Sequence, residues 1–325
     1  MNVDPPNEFG LIDLIRERCT IEREDVKLGI GDDAALLAVP SGQWLAVSTD
    51  TLVAGVHFPE HTSAGDIGWK ALAVNLSDLA AMGATPAWAT LALTLPRADA
   101  AWATAFADGF AALAREFKLA LVGGDTTRGP LTITVTVHGF IPPGAAVFRR
   151  GARPGDGIYV TGTLGDAAAG LFCLGERAHA AGGAAERLIE RLNRPTPRVA
   201  QGLLLRGRAN ACIDVSDGLV ADLGHICAAS SVGAQIELAS LPASSALLAA
   251  FDISMRARFQ LQGGDDYELC FTAPEDGAST LLEDLARSGC GATRIGRLTA
   301  GTGVCVLDAS GRKIELERGG WEHFA

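Results

Sequence analysis

STDTLVAGVHF, Ser48–Phe58, ends a short apolar run on a serine, a threonine and an aspartate. Around it lie five more acidic motifs. GDDAALL at Gly31–Leu37 precedes it. NLSDLAAMGATP at Asn75–Pro86, GGDTTRG at Gly123–Gly129, DVSDGLVADL at Asp214–Leu223 and GGDDYELCF at Gly263–Phe271 follow. Each sets one to three aspartates among Gly, Ser or Thr. Hard cations such as Mg2+ take oxygen ligands. Several such motifs converging on one point predict a multi-metal site able to hold polyphosphate.

The chain of 325 residues is long enough for about two domains, each with its own core. Hydrophobic residues make up 48% and charged residues 20%, a globular composition. The net charge of −11 argues against a general nucleic-acid binder. A phosphate substrate would need bound cations to reverse the local field. The seven cysteines form no CxxC pair and are expected to be reduced core residues of a cytoplasmic protein. MNVDPPNEFGL lacks a basic region followed by an apolar run, so no signal peptide is expected. Apolar stretches such as Ala87–Leu95 are too short for a membrane span, so no membrane partner is expected.

Apolar periodicity predicts a helix over 8–18, with Leu11, Leu14 and Ile15 on one face. A strand over 45–48 delivers Thr49 and Asp50 at its end. A helix over 66–82 stops at Gly83 and Pro86. A strand over 87–95, a helix over 98–117 and strands over 119–122 and 131–141 follow. Pro142–Pro154, rich in Pro, Gly and Arg, places a domain boundary, giving domains 1–142 and 143–325. The second half reads as strand 157–161, a helix from Asp166, strand 211–215, helix 217–230, strand 267–272, helix 274–288 and strand 293–298. Alternation of this kind predicts α/β or α+β architecture in both halves.

No GxxxxGK[ST] loop occurs, which disfavours a Walker-type nucleotide fold. GIGDDA at Gly29–Ala34 matches GxGxxA, but Asp32 and Asp33 would sit where a bare pyrophosphate should lie. With metal between carboxylate and phosphate they become suitable. Ser48, Thr49 and Asp50 offer three adjacent side-chain oxygens for a strand-end metal site; the commoner use of such residues is a cap or Asx-turn. Asp78 in its apolar helix is costly unless paired or metal-bound; the alternative is a solvent-facing stripe with Asn75. Gly123, Gly124 and Asp125 at a strand end would let backbone N–H groups approach phosphate, or would simply make a turn. Ser216 or Asp217 reads equally as a helix N-cap, which leaves Asp214 unexplained. His57, Arg149 and Trp321, taken singly, read as structural or surface residues.

Taken together these motifs, with GARPGD at Gly151–Asp156, VTGTLGDAAAGL at Val160–Leu171 and the terminal GGWEHF, resemble the thiamine-monophosphate kinase family. They occur in that family's order from about Gly29 to Phe324. The resemblance implies a two-domain fold like aminoimidazole ribonucleotide synthetase, with an N-terminal α/β domain that forms a homodimer through its sheet and a C-terminal α+β domain. It implies ATP-dependent phosphorylation of thiamine monophosphate, with ATP as co-substrate and several Mg2+ ions. Carried onto matching positions, the metal ligands would be Asp33, Ser48, Thr49, Asp50, Asp78, Asp125, Asp214 and Asp217. Among them Asp50, Asp78 and Asp214 would be catalytic. Gly124, Asp125, Arg149 and Ser216 would meet ATP, and His57, Glu268 and Trp321 the thiamine phosphate.

The acceptor in such a reaction is an already ionised phosphate oxygen, so no general base is required and transfer rests on positioning and electrostatics. Direct transfer without a phosphoenzyme is expected. Three rivals remain. Another enzyme of the superfamily is one: a selenophosphate synthetase would need a reactive N-terminal cysteine, and the hydrogenase-maturation relative a C-terminal one, whereas this chain ends HFA. A nucleotide-binding protein without turnover is the second. The third, an acidic protein whose aspartates are caps and turns, explains each motif singly and the ensemble badly.

Overall fold

The computed structural model describes residues 7–176 and 183–315. The chain falls into two compact units, Met1–Leu79 with Ala84–Gly144, and Ala80–Gly83 with Ala145–Ala325. Among the described residues no helix is long and apolar enough to cross a membrane. None of the seven cysteines is disulfide-bonded, and six are buried.

In the first unit the elements run α1 (Glu8–Cys19), β1 (Val26–Leu28), β2 (Leu36–Leu37), β3 (Trp44–Val53), α2 (Ala64–Ala81), β4 (Thr85–Leu95), α3 (Ala100–Glu116), β5 (Ala120–Arg128) and β6 (Thr132–Ile141). Asn7 caps α1 by accepting the Gly10 amide, and Leu11, Ile15 and Cys19 bury one face at i, i+4 spacing. A four-stranded sheet has the order β3-β6-β4-β5. Its β4 and β5 are parallel, joined by α3, and the other pairs are antiparallel. Ile133, Val135 and Val137 of β6 and Leu91 and Leu93 of β4 are buried. The residues that alternate with them in β6 are Thr132, Thr134 and Thr136, on the opposite, half-exposed face. Thr49 and Thr136 pair their hydroxyls across β3 and β6 at 2.9 Å, as do Thr51 and Thr134 at 2.8 Å.

Two strands are longer than the sequence suggests. β3 continues to Val53, because β6 pairs with it residue for residue from Trp44 to Val53. Ser48, Thr49 and Asp50 therefore lie inside a strand, and alternation sends Thr49 to the face opposite Ser48 and Asp50. The three side-chain oxygens do not form one strand-end cluster. Likewise β5 runs through Gly123–Asp125 to Arg128, paired to β4 on both sides of a register shift at Ala89/Thr90. The glycines mark that irregularity and not a turn. A Cβ on Gly124 would lie 1.8 Å from the Leu91 carbonyl oxygen, so only glycine fits there.

The second unit contains β7 (Gly157–Thr161), α4 (Asp166–Glu176), α5 (Ala184–Asn193), α6 (Val199–Leu205), β8 (Ala211–Asp214), α7 (Leu219–Ser230), β9 (Gly233–Glu237), α8 (Ser245–Ala250), α9 (Ile253–Gln262), β10 (Leu269–Ala273), α10 (Ala278–Arg287), β11 (Ala292–Thr299), β12 (Gly303–Leu307) and β13 (Lys313–Ile314). Seven strands order as β13-β12-β9-β11-β7-β10-β8. Only β12 and β9 pair in parallel. Ile158, Val160, Ile213, Leu223, Ile226, Ile236 and Ile295 pack its core. The first unit is thus α/β in character and the second α+β. β10 starts at Leu269, not Tyr267, because Tyr267 adopts φ +51° and Asp265 φ +68°, outside the strand region. In its place the chain turns, and Leu269 pairs with Asp214. GGDDYEL is thereby set beside DVSDG.

In the first unit, α2 and α3 touch backbone to backbone. A Cβ on Gly109 would stand 1.9 Å from the Gly65 carbonyl oxygen, and one on Gly68 2.1 Å from that of Phe106. The Gly109→Ala variant is expected to lose about 1–3 kcal/mol or more of stability through overpacking. Urea unfolding measures this, and an unchanged midpoint would contradict the close crossing.

Candidate active site

In the first unit, α2 and β3 are joined by polar contacts through an otherwise apolar interface. Asn75 is buried; its Oδ1 accepts the Asp50 amide at 3.1 Å and its Nδ2 donates to the Ala71 carbonyl at 3.0 Å. Asp78, half-buried one turn later, accepts the Ser48 hydroxyl at 2.5 Å. The polar residues of this helix therefore face the sheet and not solvent. The cost of burying them is met by hydrogen bonds to the strand. Ser48, Asp50 and Asp78 are brought together, while Thr49 points away to Thr136.

Asp33 is exposed, with its amide bonded to Asp32 Oδ1 at 2.9 Å. Gly124 and Asp125 are exposed in β5. His57 sits in the turn after β3. Its Nδ1 accepts the Val53 amide at 3.0 Å, and its carbonyl accepts from buried Lys70 at 3.3 Å. Accepting the Val53 amide requires Nδ1 to be the nitrogen without the proton.

In the second unit Asp214 ends β8, and Ser216 and Asp217 lie in the turn before α7. Neither of the latter is the N-cap. Gly218 holds that position without a side-chain bond, at φ +116°. The loop amides are satisfied from inside the helix: those of Ser216, Asp217 and Gly218 all donate to Asp222 Oδ2 at 3.1 Å. The 263–268 segment holds the other side. Asp265 donates its amide to the Ser216 carbonyl, Tyr267 donates to that of Val215, and Val215 donates to that of Glu268, each at 2.8 Å. Arg149 is exposed, and its carbonyl accepts the Ser230 hydroxyl at 3.4 Å.

Glu268 has no exposed surface. Its oxygens are bound by Arg198 through Nε at 2.6 Å and Nη2 at 2.5 Å, by Arg191 at 3.0 Å and by the Thr161 hydroxyl at 2.7 Å. Its carboxylate is committed within its own unit. Trp321 lies outside the described residues.

Sequence reasoning missed Asn75's role toward Asp50, the arginines Arg191 and Arg198, and two buried acids, Asp222 and Asp266. Asp222 stood inside a quoted motif, and an acid in the first turn after a glycine is the signal that marks it. Burial, then the nearby Asp217 charge, pushes the Asp222 carboxyl up to about 7 against the three amides. Asp266 is fully enclosed, accepting the Gly165 amide at 2.6 Å and that of Ala167 at 3.3 Å at the start of α4. Its burial outweighs those amides and pushes it up to about 8.

The two units coincide with known domain types. Residues 31–141 match the family described as AIR synthase related protein, N-terminal domain, and residues 153–308 its C-terminal domain. The thiamine-monophosphate kinase of Escherichia coli K12 is 52% identical over 320 residues, covering 98% of each chain. The crystal structure of thiamine-monophosphate kinase from Stenotrophomonas maltophilia K279a is similar with a TM-score of 0.86 and 53% identity, covering 91% of this chain and 95% of that one. A structure described as "AaThiL complexed with AMPPCP and TMP" is similar with a TM-score of 0.75 and 35% identity, covering 100% and 99%. The fold is that of the AIR synthase-related proteins. Within it, the chain belongs to the thiamine-monophosphate kinase family and is an enzyme of the kinase class.

A raised carboxyl favours the protonated form in the folded state. Asp266 therefore contributes fully below its ordinary value near 3.8, and its contribution is lost as pH rises toward about 8. Asp266→Asn keeps an acceptor but cannot ionise. Its melting temperature, relative to the parent, is expected to rise steadily between pH 5 and pH 8.5. A constant difference across that range would contradict the assignment.

Proposed function

We propose that the protein transfers the γ-phosphoryl group of ATP directly to the phosphate of thiamine monophosphate, forming thiamine diphosphate and ADP, the last step in making that cofactor. The observation that carries this reading is the junction of Ser48, Asp50, Asn75 and Asp78 in a chain 52% identical to a thiamine-monophosphate kinase.

The donor set suits Mg2+. It is all oxygen, and among the described residues no three His, Cys, Asp or Glu side chains make a ready metal cage. Mg2+ is characteristically held by one or two carboxylates with waters and substrate phosphates. Asp33, Ser48, Asp50, Asp78 and Asp125 of the first unit, and Asp214 and Asp217 of the second, would hold several such ions, whereas the Thr49 hydroxyl, paired with Thr136 on the other face of β3, would not join Ser48 and Asp50. Bound Mg2+ would neutralise the phosphates and offset the repulsion between two polyanions.

The chain's own residues orient. Asn75 fixes the backbone at Asp50, and Ser48 holds the Asp78 carboxylate in one rotamer. Gly124, Arg149 and Ser216 would take ATP. His57 and Trp321 would take thiamine monophosphate, with Glu268 acting through the arginines it anchors. An ionised acceptor oxygen attacks the γ-phosphorus, the bond to the β-phosphate oxygen breaks, and no proton has to be removed.

A second copy of the chain would pair through the four-stranded sheet. Leu45 and Val47, exposed on the edge strand β3, support this, since an uncovered apolar edge otherwise invites aggregation. We place the enzyme in the cytoplasm.

Three measurements test the reading. With Mg·ATP, thiamine monophosphate should yield thiamine diphosphate while free thiamine yields nothing; no product despite a folded protein would defeat it. Asp50→Asn and Asp78→Asn should each lower kcat about 100- to 1,000-fold, the loss typical of removing one preorganised electrostatic group. Leu45→Lys with Val47→Lys should shift sedimentation from dimer to monomer, and an unshifted species would place the interface elsewhere.

A further inference from the structure

The loop Asp214–Gly218 precedes α7 in the manner of a phosphate-binding turn, yet its backbone is spent. Three successive amides, of Ser216, Asp217 and Gly218, converge on one oxygen of Asp222. The amide and carbonyl of Val215 and the carbonyl of Ser216 pair with Asp265, Tyr267 and Glu268. Asp222 is itself buried among them, so it screens the amides from any incoming anion. Anion-binding helix starts work by pointing N–H groups at the ligand. Here they point into the protein, at a carboxylate that takes the place an anion would have. The loop's side-chain oxygens are those of Asp214, Ser216 and Asp217.

We propose that Asp222 is a positioning residue that turns the loop's amides inward and so converts a potential phosphate cradle into a cation acceptor. Nucleotide phosphate then engages this loop through a divalent cation and not through backbone N–H groups. The inference rests on the proposed kinase reading and specifies how one part of that site works.

Two further observations support a held loop. Gly218 at φ +116° would place a Cβ 2.9 Å from the Gln262 backbone, and a Cβ on Gly264 would lie 2.3 Å from the Ser216 carbonyl oxygen. The loop is thus clamped between Asp222 and the 262–268 segment, with glycine needed on both sides. Without Asp222 the three amides, those of Ser216 and Asp217 only part-buried, would turn to water or to an anionic ligand.

The test is Mn2+ binding, followed by electron paramagnetic resonance, with a non-hydrolysable ATP analogue present. Asp217→Ala identifies the Mn2+ bound through this loop as the site it removes. Asp222→Ala should weaken that same site about tenfold or more. Asp222→Asn, which keeps an oxygen acceptor at the same place, should stay within about threefold of the parent. In steady state, half-saturating Mg2+ should rise in Asp222→Ala while the KM for thiamine monophosphate moves less than about twofold. A purely structural role would move both together. If Asp222→Ala does not fold, Asp222→Glu replaces it: its longer side chain displaces the acceptor and should weaken Mn2+ where Asp222→Asn does not. Equal Mn2+ affinity in parent and Asp222→Ala, or equal weakening in Asp222→Asn and the disruptive variant, overturns the proposal. If Asp217→Ala removes no Mn2+ from a parent that turns over thiamine monophosphate, the kinase reading stands and this inference falls. If the parent neither binds Mn2+ nor turns over, both fall.

Discussion

Glu268, sealed from solvent and gripped by Arg191, Arg198 and Thr161, is the contact on which the second unit's arrangement depends. It joins α5, the residue before α6, the end of β7 and the approach to β10. An uncompensated buried charge is costly, and removing one partner of a buried ion pair costs about 3–5 kcal/mol. The neighbouring backbone is shaped to allow the cluster. A Cβ on Gly162 would lie 2.3 Å from Glu268 Oε1, so the chain there must be bare. Asp265 and Tyr267 accept left-handed φ values in the same segment. Such conformations persist only where surrounding contacts over-determine them, and here the 214–218 loop and the glutamate cluster do so.

The first unit solves a similar problem with an amide and a hydroxyl in place of arginines. α2 is apolar over most of its length, and glycines let it approach α3 until backbones touch. A helix held so closely presents Asn75 and Asp78 to β3 at a set height. Asn75 is satisfied on both its polar atoms by backbone, so it spends nothing on a ligand. Asp78 is restrained by a hydroxyl, a weaker tie that a competing ligand for the carboxylate can exchange.

The order of α1, β3, α2, β4, α3, β5 and β6 was readable from periodicity because the apolar faces of α1, α2 and α3 and the β-branched alternation of β6 are strong local signals, whereas the short β1, β2, β9, β12 and β13 and the helices α8 and α9 were not legible. Nor were the extents of β3 and β5. Gly123–Asp125 and Ser48–Asp50 carry turn-forming residues, and only pairing to β6 and β4 holds them extended. Side-chain alternation then separated Thr49 from Ser48, which no count of adjacent oxygens foretells. Of the six motifs, Ser48–Phe58 and Asn75–Pro86 meet in the first unit through Ser48, Asp50, Asn75 and Asp78, and Asp214–Leu223 and Gly263–Phe271 pair in the second through Val215, Ser216, Asp265 and Tyr267. The motifs did not distinguish aspartates that bind from aspartates that build, since that difference is one of burial and donors. Asp222 and Asp266 carry the same letter as Asp33 and Asp125, but the first pair is enclosed and bonded to amides and the second pair is exposed.

That sorting has a chemical consequence for an enzyme of this class. A carboxylate kept for cations must stay ionised and reachable at neutral pH, which favours partial exposure. A carboxylate that shapes a loop is best buried, where each amide bond is strengthened by the low dielectric. Burial drives the carboxyls of Asp222 and Asp266 upward to about 7 and about 8, values that would weaken a metal ligand. These two acids are therefore suited to construction and unsuited to coordination. The proposed ligands Asp33, Asp50, Asp78, Asp125 and Asp217 all retain some exposure. Asp214 is the exception, buried yet at the mouth of the loop that Asp222 organises. A carboxylate placed there gains most from a bound cation, because water does little to screen the attraction.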